Sequence, residues 1–240
     1  MPVQPVARGF FGKIPSRGDF VQKGLPRDFV QAWDGWLAAA FGAGREVLGQ
    51  RWDEAFMTAP LWRFHLFPGV CSAQAVAGVM SPSVDRVGRA YPLVLCQVGG
   101  VSAGQVLSAA AASWYRSLEG LAVAALEQRL EPDHIENGLA GLETASDPTG
   151  TDGARSLRYP LRTTDDPLTG MPAEVLVALA GSGPAGLSLW WTEGSDLVEP
   201  SFLLCRGLPS PAEFPALLSG EWGAHGWGPC SKWREDGAPG

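Results

Sequence analysis

Two short segments crowd side chains capable of chemistry into turns. Gly9 to Phe20, GFFGKIPSRGDF, runs from two aromatic residues into a stretch where Gly12, Pro15 and Gly18 break the backbone. Lys13, Ser16, Arg17 and Asp19 stand around those breaks. Ser81 to Pro92, SPSVDRVGRAYP, repeats the plan: Pro82 halts an apolar run, and Ser83, Asp85, Arg86 and Arg89 follow. Such a density of Ser, Asp, Lys and Arg can hold a phosphate or carboxylate, meet a partner's charges, or pair internally to fix the loops. The expectation is that both turns meet at the same sheet edge. Lys13, Ser16, Arg17, Asp19, Ser83, Asp85, Arg86 and Arg89 then form one partner-binding or anion-binding constellation, with internal pairing as the competing structural role.

Other motifs carry less. Gly12-Lys13 is followed by Ile14, not Ser or Thr, and the earlier glycine of a Walker loop is missing. Gly181 to Gly186, GSGPAG, has the G-x-G-x-x-G spacing, but it follows a helix pattern and opens into a strand, the reverse of the dinucleotide context. The sequence has no G-x-S-x-G elbow, and Arg17-Gly18-Asp19 reads as a turn with a local ion pair. The cysteines, at 71, 96, 205 and 230, form no Cys-x-x-Cys pair, and His65, His134 and His225 lie at no ligand spacing. Buried thiols are expected, with no metal, no cofactor and no enzymatic reaction.

The elements that must position the turns follow from periodicity. From Pro26 to about Leu48, Phe29, Trp33, Trp36, Leu37, Ala40 and Phe41 recur at three and four, an amphipathic helix whose aromatic stripe is expected to pack rather than bind. A shorter helical patch covers Trp52 to Met57. Strands are predicted at Trp62 to Phe67, with Arg63 and His65 on a wetter face, then at Ala75 to Met80 and Pro92 to Val98. The last is apolar on both faces, as a central strand covered by helices would be. Ala103 to Leu130 predicts one long helix, or two joined near Gly120. Helix signals return at Pro172 to Ala180 and Ala212 to Leu218, with strands at Leu187 to Thr192 and Ser201 to Arg206. The fold class is therefore α/β: a mixed, largely antiparallel sheet with helices on both faces, a three-layer αβα sandwich. Residues 1–130 supply sheet and covering helices, 131–169 a loop-rich insert or boundary, and 170–240 the strands and helix that join the same sheet, as one compact domain. The tail from Gly220 leaves Trp222, Trp227 and Trp233 as either a contact patch or a flap folded over the sheet.

Composition narrows the function. At 240 residues and 45% hydrophobic the chain can bury a sizeable core, and a formal net charge of -7 gives no basic field for nucleic acid. Apolar runs fall short of a membrane span, and Pro2 and Pro5 with no cationic start argue against a signal peptide, so a soluble cytoplasmic protein is expected.

Four segments in order, GFFGKIPSRGDFV, LPRDFVQAWDGWL, TAPLWRFHLFPGVC and PSVDRVGRAYPLVL, resemble the TagF family, also called ImpM, of type VI secretion. SLWWTEG and CRGLP are similar to its weaker carboxy-terminal pattern. The resemblance implies a cytoplasmic accessory protein, a post-translational repressor acting by protein binding on a forkhead-associated scaffold protein, without nucleic acid or membrane insertion. A small-ligand sensor or enzyme holding a phosphate or carboxylate is the alternative. Forkhead-associated modules read phosphothreonine, so Thr163-Thr164-Asp165-Asp166 is a further docking element to consider.

Overall fold

A computed structural model describes residues 6–106, 109–142 and 186–228. The Thr163-Thr164 tetrad, the helix expected at Pro172 to Ala180, Cys230 and Trp233 lie outside the described residues.

A seven-stranded sheet forms the middle layer: β1 (Ala7–Gly12), β2 (Val21–Lys23), β3 (Trp62–Leu66), β4 (Val76–Ser81), β5 (Leu93–Val98), β6 (Leu187–Thr192) and β7 (Ser201–Arg206). Their spatial order is β2-β1-β5-β4-β3-β6-β7. Every pairing is antiparallel. The carboxy-terminal strands extend the sheet past β3, as their patterning predicts.

Side-chain alternation divides the core between two faces. Phe11, Phe64, Val94 and Trp190 face the aromatic stripe of α1 (Arg27–Leu48), together with α2 (Trp52–Met57) and α6 (Ala216–Ser219). Phe10, Leu95, Leu189 and Trp191 face α3 (Ala103–Val106), α4 (Ala109–Glu127) and α5 (Pro132–Ala140). Trp33 is fully buried and stacks on Phe29, so the stripe is packing. Trp222 folds back against Trp62, and the Trp227 indole donates to the Glu213 carbonyl. Cys71, Cys96 and Cys205 are buried free thiols. No helix among the described residues is long and apolar enough to cross a membrane.

Four expectations change. β3 has no wetter face: all five residues are buried, because Glu119 and Glu193 neutralise Arg63 inside the fold. Gly120 is no break; it lies within α4, exposed and with open space around it. The stretch beginning at Glu131 opens with a helix instead of a loop. Pro132 suits its first turn, Asp133 complements the dipole there, and Ile135 and Leu139, four apart, are both buried. The remainder of that stretch, 143–169, lies outside the described residues. The last helix is shorter than predicted, four residues after a run of turns.

Candidate functional site

β1 and β4 flank β5, and both run antiparallel to it, so both end at the same end of the sheet. That places the two polar turns side by side at one end of the sheet. Gly12 lets β1 leave the sheet there: its φ is +140°, and a Cβ would collide with the Pro92 carbonyl oxygen.

Each turn is written locally. In the first, Pro15 follows Ile14, the Arg17 N–H donates back to the Ile14 carbonyl at 3.1 Å, and the Ile14 side chain anchors the turn in the core. In the second, Asp85 opens and Gly88 closes a four-residue turn through a 2.9 Å Gly88 N–H bond to the Asp85 carbonyl. Asp85 Oδ1 accepts from the Val87 N–H at 3.0 Å and the Arg89 N–H at 2.9 Å, holding the loop from inside.

Asp85 also joins the turns. Its Oδ2 lies 3.1 Å from Lys13 Nζ and 2.6 Å from Arg89 Nε, with its own side chain at 0% exposure. Burial works against ionisation of this carboxyl. Hydrogen bonds from the Arg89 backbone and guanidinium, from Lys13 and from the Val87 N–H outweigh burial and hold the group well below the usual carboxylate range. Three further bonds close the seam: Ser83 Oγ donates to the Lys13 carbonyl at 2.7 Å, the Arg86 N–H to the Arg17 carbonyl at 2.8 Å, and Arg89 Nη2 to the Gly18 carbonyl. The Lys13 ammonium sits 5.2 Å from the centre of the Phe20 ring, which packs edge-on against Tyr91.

The structure thus brings together seven of the eight residues singled out by sequence and sorts them. Lys13, Ser83 and Asp85 are buried and mutually paired. Arg89 pairs through Nε while its side chain stays 62% exposed. Arg17 reaches Glu131 at 2.7 Å, and Ser16 Oγ donates to the Leu130 carbonyl. The Arg86 guanidinium lies over Gly18, and among the described residues no carboxylate comes within ion-pair distance of it. Asp19 stands apart, exposed, with Oδ1 accepting from the neighbouring Phe20 N–H.

Sequence reasoning overlooked a third segment, Arg129 to Glu131 between α4 and α5. It supplies the Glu131 carboxylate and an Arg129 bond to the Pro15 carbonyl at 3.0 Å. Two opposite charges flanking Leu130, between a helix pattern and Pro132, were the available signal. Overlooked also were the exposed apolar residues of the two turns, Phe20 and Val87. Elsewhere, a cavity of about 200 Å³ between β1, β2 and α5 is lined by Arg8, Lys23, Glu136 and Leu139. Its lysine is already paired with Asp133 and Glu136. Burial pushes the His65 imidazole down to about 4, which keeps it neutral beside Phe67.

Comparison with known proteins matches these features to a lineage. Residues 9–142 match the TagF N-terminal domain, type VI secretion system-associated, a span that contains both turns and the Arg129 to Glu131 segment. The fold resembles the crystal structure of PA0076 from Pseudomonas aeruginosa PAO1, with a TM-score of 0.71 and 35% sequence identity over 90% of this chain and 95% of that one. No curated protein matches. With the family's domain spanning the sheet end and its polar turns, the chain belongs to the TagF family of proteins associated with type VI secretion.

Proposed function

We propose that this protein is a cytoplasmic, post-translational negative regulator of type VI secretion that works by binding a forkhead-associated scaffold protein, not by catalysis. The observation that carries the reading is the sorting of charge at the sheet end. Buried Asp85 holds Lys13 and Arg89 and pins two turns together, while the Arg17 and Arg86 guanidiniums remain exposed on that rigid base. A fixed surface bearing outward cations suits recognition of another macromolecule, since little ordering entropy is left to lose on binding. Family membership supplies the secretion context.

A tagged pull-down from the native host tests this. Wild-type protein is expected to recover a forkhead-associated protein, and deletion of the gene to raise secretion with transcription unchanged. Recovery of no secretion component, with secretion unaltered on deletion, overturns the proposal. Thermal stabilisation by one phosphorylated metabolite from a broad panel would instead favour the small-anion reading.

A further inference from the structure

The tips of the two turns combine features that internal packing does not use. Val87 is 70% exposed and Phe20 45% exposed. Single exposed apolar side chains are ordinary. Here both stand on pinned turns: Val87 sits inside the loop that Asp85 ties from within, and Phe20 is wedged against Phe11 and Tyr91. Neither side chain can swing inward without breaking those contacts. Around them lie Arg86, with no carboxylate partner among the described residues, and two exposed guanidiniums that are already paired, Arg17 with Glu131 and Arg89 with Asp85 through Nε. Their hydrogen bonds stitch the tips together, from Arg86 to the Arg17 carbonyl and from Arg89 to the Gly18 carbonyl. Lys13, Arg17, Arg86, Arg89 and Arg129 stand here against Asp19, Asp85 and Glu131, five cations to three carboxylates, in a chain whose formal net charge is -7, so the positive charge is local and opposes the field of the rest.

We propose that this tip is the docking surface for an acidic peptide segment that carries an apolar side chain, the apolar group seated against Val87 and Phe20 and its carboxylates meeting Arg86, Arg17 and Arg89. The inference rests on the binding role proposed above and names the chemistry of the segment bound. A peptide fits better than an anionic bilayer. Two apolar side chains offer little area to insert into a bilayer, and exposed Asp19 beside Phe20 finds no donor in a phosphate group. Asp19 can instead accept from a peptide backbone N–H.

The test uses full-length protein and a fluorescein-labelled peptide in which Glu pairs flank one Leu, spaced by Gly and Ser, read by anisotropy. A peptide with Lys in place of Glu is the control. The Glu peptide is expected to bind, and raised salt to weaken it. Arg86→Glu should lower affinity roughly tenfold or more, by removing one charge pair and adding a repulsion. Val87→Ser, which touches no core contact, should weaken binding without altering its salt dependence. Arg116→Glu, an exposed change on α4, should leave binding as it was. Equal binding of both peptides, or Arg86→Glu and Val87→Ser variants that bind like wild type, would sink the proposal. So would co-sedimentation with anionic phosphatidylserine vesicles in place of peptide binding, or self-association that Arg86→Glu abolishes, which would give the surface to a second copy. Scaffold recovery that ignores Arg86→Glu overturns the surface alone. Retained Glu-peptide binding with no scaffold recovered overturns the regulatory reading alone.

Discussion

Two charge clusters sit at the same end of the sheet with opposite construction. In one a carboxylate is central: Asp85, fully buried, is bracketed by Lys13 and Arg89. In the other a cation is central: Arg63, its side chain 3% exposed, donates two bonds to Glu119 at 2.6 and 2.8 Å and one to Glu193 at 2.7 Å. The Trp62 to Met80 pairing puts Arg63 near the end of β4, close to where the second turn begins. A buried anion ringed by cations leaves positive charge at the surface, and a buried cation ringed by carboxylates leaves negative charge. The Arg63 cluster faces α4, packs over Tyr115, and ties that helix to the segment after β6. Its geometry is all attachment. The Asp85 cluster attaches as well, but it leaves guanidiniums over.

The comparison breaks most visibly at Arg63. Arg63→Ala strands the Glu119 carboxylate, itself only 22% exposed, without its cation and opens a gap over Tyr115. Breaking a buried pair from one side costs about 3–5 kcal/mol, a fall in Tm of roughly 10 °C for a chain of this size. Urea and thermal unfolding measure it. Replacing the pair by packed apolar groups, Arg63→Met with Glu119→Leu, should recover much of the loss, since the desolvation penalty goes with the charges. A neutral Arg63→Ala would mean that the inward cluster is not structural.

Attachment and presentation were unequally legible in the sequence. Signals that act over a few residues could be read. The three-four spacing of Phe29, Trp33 and Phe41 gave α1, the apolar runs at Leu187 to Thr192 and Ser201 to Arg206 gave β6 and β7 with their observed bounds, and Pro15 and Pro82 marked both turns. Signals that need a distant partner could not. Arg63 looked wet because Glu119 and Glu193 lie 56 and 130 residues away along the chain. Lys13 and Arg86 looked alike, and only the fold shows one buried on Asp85 and the other open. α5 was obscured by Gly and Pro in its surroundings, although Pro132 at a helix start is favourable. Fold class and the positions of the two turns along the chain were therefore local information, while the role of each charge was not.

A smaller effect is expected at Asp85. Asp85→Asn keeps the shape but weakens the bond to Arg89 and leaves Lys13 buried beside a neutral amide, so Tm should fall by roughly 5 °C. The pH dependence sharpens this. A carboxyl held below its usual range adds stability in full above its unfolded pKa of about 4, and loses it as pH falls from there through the folded value. The gap in Tm between wild type and Asp85→Asn should be widest near neutrality and narrow progressively below about pH 4. A gap independent of pH would show that the loss comes from shape and not from charge.

The smallest effect on stability is expected where presentation is the role. Arg86 lies over Gly18, and its backbone N–H, not its side chain, makes the bond to Arg17. Truncating it therefore removes exposed charge and leaves the seam between the turns intact. Arg86→Ala should shift Tm by no more than about 2 °C, within the range of ordinary surface changes, while reducing recovery of the scaffold in pull-down. That divergence is what separates the two clusters, because at Arg63 stability and binding must fall together. If Arg86→Ala lowers Tm as far as Asp85→Asn does, its guanidinium belongs to the attachment machinery, and the sheet end is a second anchor instead of a surface for a partner.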